Sequence, residues 1–160
     1  LGTTTAGSMA LYFDGSDVLL STAAESIDAL ARKPDGTLLI STSGKATVKN
    51  GAVTVTGEDE DLLAFQATSL GNTTAGTWSL SNGFDGSLLS GMTAENVSGA
   101  WYDPATGDFY LTLTSAFTVG GVAGNQKQVL RVTPARAASI YWNAPANGYN
   151  VTIDGLFIVP

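Results

Sequence analysis

Short runs in which apolar and polar residues alternate, each closed by Gly, Pro, Asn or Asp, recur along the whole chain. A period of two places alternate side chains on opposite faces of a strand, and the closely spaced turn residues leave no room for long helices. The pattern predicts strands at 27–32, 37–42, 62–66 and 76–81, and again at 97–102, 109–114, 129–133 and 139–142. Asn50-Gly51, between the alternating runs Ala46–Lys49 and Ala52–Thr56, predicts a hairpin because both residues tolerate positive φ. Two further strands are expected at Ser8–Phe13 and Ile153–Val159.

These runs repeat as a set. Leu1-Gly2-Thr3-Thr4-Thr5-Ala6-Gly7 returns as Leu70-Gly71-Asn72-Thr73-Thr74-Ala75-Gly76, and Phe13-Asp14-Gly15-Ser16 returns as Phe84-Asp85-Gly86-Ser87. Ile27-Asp28-Ala29-Leu30, closed by Pro34, returns as Val97-Ser98-Gly99-Ala100, closed by Pro104. Ile153-Asp154-Gly155-Leu156, closed by Pro160, opens a third copy. The expected architecture is a single all-β domain of two degenerate four-stranded units, about 1–69 and 70–134, followed by a half-unit, 135–160. The units would be arranged as propeller-like blades or as a two-sheet sandwich. The chain opens on the last strand of a unit and closes on the first strand of another. Those ends would meet and close the fold, complete a neighbouring subunit, or continue a longer array, since unpaired terminal strands are sticky edges.

Leu11-Tyr12-Phe13-Asp14-Gly15-Ser16-Asp17-Val18, with Asp28-Ala29-Leu30, Pro34-Asp35-Gly36 and Gly76-Thr77-Trp78-Ser79-Leu80, resembles a repeat module of bacterial secreted and cell-surface proteins. In that module a Gly-Thr-Trp-Ser-Leu-Tyr-Phe-Asp-Gly-Ser-Asp-Val run alternates with an Asp-Ala-Leu…Pro-Asp-Gly strand pair, in the strand order of a propeller blade. The resemblance covers most of residues 1–81, and residues 82–160 depart from it. It implies a secreted or cell-surface location and carries no activity.

Composition narrows the chemistry. The 160 residues hold 7 Lys+Arg against 14 Asp+Glu, a net charge of −7, with no His and no Cys. Without His there is no Ser-His-Asp triad and no His-ligated metal; without Cys there is no thiol catalysis, zinc-thiolate site or disulfide. The acidic balance argues against nucleic acid as a partner. No apolar run reaches the length of a membrane span. Leu1 opens in mid-pattern without Met, as a processed or trimmed product would.

Candidate sites are few. The acidic run Glu58-Asp59-Glu60-Asp61 offers carboxylates for calcium, with Asp14 and Asp17 from a neighbouring turn, although it reads more simply as an exposed, solubilising turn. Asp14-Gly15, Asp85-Gly86 and Asp35-Gly36 read as turns in which Asp caps itself and Gly takes positive φ. Trp101, Tyr141 and Trp142 offer faces for sugar stacking, and alternation should point the members of Tyr141-Trp142 and of Trp101-Tyr102 to opposite sides of their strands. Asn72, Asn96 and Asn150 begin Asn-X-Ser/Thr sequons. The leading expectation is a non-enzymatic extracellular module that assembles with copies of itself as a surface layer, filament or adhesive array. Assembly would pair terminal edge strands through Ser8, Ala10, Tyr12, Ile153, Leu156 and Ile158. The alternative is a carbohydrate-binding module that takes glycans on the three aromatics. No cofactor is expected apart from that weak calcium set.

Overall fold

The computed structural model describes residues 7–158 and is all-β. The strands are β1 (Ile27–Arg32), β2 (Leu38–Thr42), β3 (Ala46–Asn50), β4 (Val53–Gly57), β5 (Leu62–Ser69) and β6 (Ala75–Phe84) in the first unit. The second unit contains β7 (Val97–Tyr102), β8 (Phe109–Leu113), β9 (Phe117–Val119), β10 (Val122–Gly124), β11 (Gln128–Val132) and β12 (Ala138–Asn143). Each unit is one antiparallel four-stranded sheet, β1-β2-β5-β6 and β7-β8-β11-β12, with a two-stranded hairpin inserted after its second strand. Both are introduced by a pair of single 3₁₀ turns, Gly15–Val18 with Ala23–Glu25 and Gly86–Leu88 with Met92–Ala94.

The turns follow from their residues. Asn50 pairs with Val53, so the first hairpin turns on Gly51-Ala52, one residue later than expected, with Gly51 at φ +60. The second hairpin turns on Gly120-Gly121, at φ +57 and +80, where side-chain-bearing residues would be strained. Asp14 Oδ1 accepts from Ser16 N and Oγ at 3.0 and 2.6 Å, and Asp85 Oδ1 from Ser87 N and Oγ at 3.1 and 2.6 Å. These aspartates cap their own turns, and so does Asp35 through Thr37 N at 3.0 Å. Positive φ holds only for Gly36 among the three glycines; Gly86 is needed for space, since a Cβ there would meet Glu60 Cγ at 2.6 Å.

The two sheets stack face to face. Ala29 and Ala31 on β1, Leu39 on β2 and Ala64 on β5 pack against Ala100, Leu111, Leu130 and Val132 of the second sheet. Small side chains on β1 let β7 lie directly over it. The opposite face of the first sheet is also buried. Leu38, Ile40, Leu63, Phe65 and Trp78 lie beneath Ala46 and Val48 of the hairpin and Val18 and Leu20 of the leading segment. Trp78 donates its indole N–H to Val18 O at 3.1 Å. Strand β2 is therefore buried along its whole length, which explains its unbroken Leu38-Leu39-Ile40 run.

The strand registers relate the units residue by residue. Ala31 pairs with Leu39 as Trp101 pairs with Tyr110; Leu39 pairs with Ala64 as Tyr110 pairs with Arg131. The face that the first sheet turns toward the second thus corresponds to the face that the second turns outward.

The terminal segments depart from expectation. Neither Ser8–Phe13 nor Ile153–Ile158 forms a strand, and Val159 lies outside the described residues. Gly71 N donates to Tyr12 O at 2.9 Å and Ile153 N to Gln126 O at 3.0 Å. One such bond each does not make a ladder, and an extended segment without a paired neighbour is not held as β.

Candidate functional site

The outward face of the second sheet carries the candidate site. Register places Trp101 of β7, Tyr110 of β8 and Arg131 of β11 in one cross-strand row. The Tyr110 ring meets Trp101 at 5.4 Å and Tyr141 at 4.6 Å between centroids, both edge to face. Asp108, buried at the start of the row, accepts from Arg131 Nε at 2.7 Å and from its terminal nitrogen at 2.6 Å. Burial pushes the Tyr110 hydroxyl above its usual range. A row of aromatic rings with one anchored guanidinium has the composition of a protein–protein hot spot.

The C-terminal segment crosses this face. A Cβ added at Gly99 would lie 3.3 Å from Gly155 Cα, so the two glycines set the close approach. Ile153, Leu156, Phe157 and Ile158 border Val129, Tyr141 and Trp142 around an open apolar cleft of about 340 Å³, and Phe157 is 81% exposed. Motif matching aligns Ile153-Asp154-Gly155-Leu156 with the start of β7, and Gly155 of that segment comes against Gly99 of β7, the strand that itself packs on β1. At the other end Phe13, the counterpart of Phe84, packs edge-on against Phe65 at 5.3 Å, on the outward face of the first sheet. Each terminal segment therefore lies against an outward sheet face.

Tyr141 and Trp142 do not point to opposite sides. A bulge in β12 opposes Val129 to Trp142 and Leu130 to Ile140, which leaves Tyr141 as the extra residue, and both rings line the cleft beside the C-terminal segment. Trp142 also leans toward Tyr149 at 6.2 Å. The Trp101-Tyr102 pair does alternate: Trp101 faces outward, and Tyr102 packs on Phe109 at the core edge. Of the expected assembly residues, Ile153, Leu156 and Ile158 lie together on this face, whereas Ser8, Ala10 and Tyr12 are exposed near the opposite end.

The calcium set does not assemble. Among the described residues no group of three or more acids stands close enough to hold a metal ion. Asp17 Oδ2 accepts from Thr74 N at 2.8 Å, and Glu58 pairs with Lys45. The Asp59 carbonyl accepts from Ser41 Oγ at 3.2 Å. Nor is the acidic run an exposed turn, because Glu60 and Asp61 are buried. Asp61 takes N–H bonds from Glu58 and from Gly86 of the second unit, at 2.9 and 2.8 Å, while burial pushes its carboxyl above the usual range. Among the sequons, Asn72 and Asn150 are exposed, and Asn150 accepts from Lys127 Nζ at 2.6 Å. Asn96 is half-buried and donates to Ser43 O at 3.4 Å.

Sequence reasoning passed over a pair of equivalent glutamates. Glu25 and Glu95, each two residues ahead of its unit's first strand, are both buried. Burial alone would raise Glu25, but the N–H groups of Ser21, Thr22 and Thr47 outweigh it and hold the carboxyl at about 2. Glu95 has only the Ser115 hydroxyl, at 3.2 Å, and burial pushes it upward. Thr22 three residues ahead of Glu25 was the available signal, a capping box.

The chain matches no protein-family model, no curated protein and no solved structure.

Proposed function

We propose that this chain is a structural or interaction module that associates with copies of itself through sheet faces, head to tail. The observation that carries this reading is the equivalence of Ala31, Leu39 and Ala64 with Trp101, Tyr110 and Arg131. In the first sheet that row is sealed by another unit of the same repeat; in the second it is crossed only by the C-terminal segment. The leading segment of one copy and the trailing segment of the next would share the layer between them. This replaces edge pairing with face packing, since neither terminal segment is a strand within the chain. The resemblance of residues 1–81 to secreted repeat modules favours an extracellular setting, and no catalytic residue enters the reading.

Light scattering with electron microscopy on the purified chain tests it. The expected result is a species well above 16.4 kDa, seen as rods or closed rings. Trp101→Glu or Tyr141→Glu should return it to single chains with unchanged circular dichroism. A monodisperse single chain at every concentration overturns the proposal.

A further inference from the structure

Two of the seven basic residues converge on one cleft at the junction of the two sheets. Lys33 Nζ donates to Asn82 O at 2.6 Å and lies 5.3 Å from the centre of the Tyr102 ring. Arg136 donates to Asp85 O and lies 5.1 Å over the Phe84 ring. The two cations thus end on carbonyls of the same short segment. Among the described residues neither forms a salt bridge; the two ion pairs present are Lys45–Glu58 and Arg131–Asp108. In a chain of net charge −7, two half-buried cations held on carbonyls and rings make a local positive site.

Arg136 is also strained. It sits in the β11–β12 turn at φ +63, where its N–H donates to Thr133 O at 2.9 Å. Gly fits this backbone freely, and every other positive-φ position except Leu19 is Gly. A side chain kept at such a position stores strain that its contacts must outweigh, as happens at binding sites.

The cleft, about 360 Å³, adjoins a second of about 420 Å³, and Lys33 and Asn82 line both. The second is lined by hydroxyls and amides: Thr37, Gln66, Thr77 and Ser79. Thr37 Oγ1 already donates to Gln66 Oε1 at 2.7 Å, which fixes the amide. Asp35 is the carboxylate on that wall; Thr37 N occupies one of its oxygens, and it accepts well from hydroxyls. Volumes of this size suit a ligand of a few rings.

We propose that these two adjoining clefts bind an acidic saccharide, with a uronate carboxylate between Lys33 and Arg136 and neutral hydroxyls along Thr37, Gln66 and Ser79. Charge-assisted bonds to the carboxylate supply orientation, and Tyr102 supplies an apolar face for the sugar ring. The site lies at the junction within one chain, so it is independent of self-association.

Calorimetry with oligogalacturonate, set against its methyl ester, tests the proposal. The acid should bind at least about tenfold more tightly than the ester, and the difference should shrink as salt rises. Arg136→Gly is the informative variant, because Gly takes φ +63 without strain. It should melt no lower than the parent chain yet bind the acid about tenfold more weakly. Lys33→Met should weaken binding by a similar factor. Absence of binding by the parent chain, equal binding of acid and ester, or full binding by Arg136→Gly overturns the assignment.

Discussion

The outward faces of the two sheets are not equivalent in the repeat, since the second corresponds to the inward face of the first, and the two end in different states. On the first, Trp78 and Phe65 are buried beneath a five-residue-stranded hairpin and the leading segment. On the second, the hairpin strands are three residues long and its Phe117 and Val119 point into the core between the sheets. Trp101, Tyr141 and Trp142 are left to a trailing segment without strand structure. A sheet in this repeat does not decide whether its face becomes core or surface; the cover does. Where the cover is a unit, the facing residues are Ala and Leu, and where it is a single segment they are Trp, Tyr and Arg.

Truncating the two tryptophans gives the widest separation. Trp78→Ala removes a ring with 2% exposure and should cost about 3–5 kcal/mol, whereas half-buried Trp101→Ala should cost less than about 2 kcal/mol. Urea unfolding of both variants would show it, and equal losses would mean that the second face is as dry as the first. Next come the equivalent glycines. Gly86→Ala drives a methyl to 2.6 Å from Glu60 and should cost about 1–3 kcal/mol; at Gly15 the nearest contact is Leu20 Cβ at 3.2 Å, and alanine should change stability by about 0.5 kcal/mol or less.

The glutamates sharpen the contrast through pH. With its folded pKa about 2, below the ordinary 4.5, Glu25 contributes stability that is full above pH 4.5 and lost as pH falls toward 2. Glu95 is raised, so its ionisation weakens the fold as pH rises and the loss is recovered on acidification. Glu25→Gln should therefore lower the melting temperature at neutral pH and flatten its acid dependence. Glu95→Gln should leave it unchanged or raise it. Matching responses would sink the assignment. The smallest effect belongs to deletion of 151–160: the melting transition should hardly move, while an apolar dye gains a site over Val129 and Trp142.

Much of this frame was legible. The bounds of β1 and β7 follow from Ile27-Asp28-Ala29-Leu30 and its return as Val97-Ser98-Gly99-Ala100. What escaped depended on partners distant in sequence. Ser8–Phe13 and Ile153–Ile158 alternate as strands do, but pairing needs a neighbour that the pattern cannot supply. Glu60-Asp61 reads as a solvated turn because its donor, Gly86 N, lies 25 residues away across the unit junction. The bulge at Tyr141 inverts the alternation without changing the composition of β12. The outward site was half-visible: its aromatics could be named, while Tyr110, Arg131 and Asp108 emerged only from register. Gly120-Gly121 was a readable hairpin signal and was passed over.

Burial of β2 on both faces carries one more consequence. Its amides can meet solvent only if the hairpin cover and the sheet junction both come apart, so hydrogen exchange there should report global opening. Amides of β12, at the sheet edge, should exchange through local fraying at lower cost. A repeat protein so graded opens from its second unit inward, and the first unit is the last part to lose its memory of the fold.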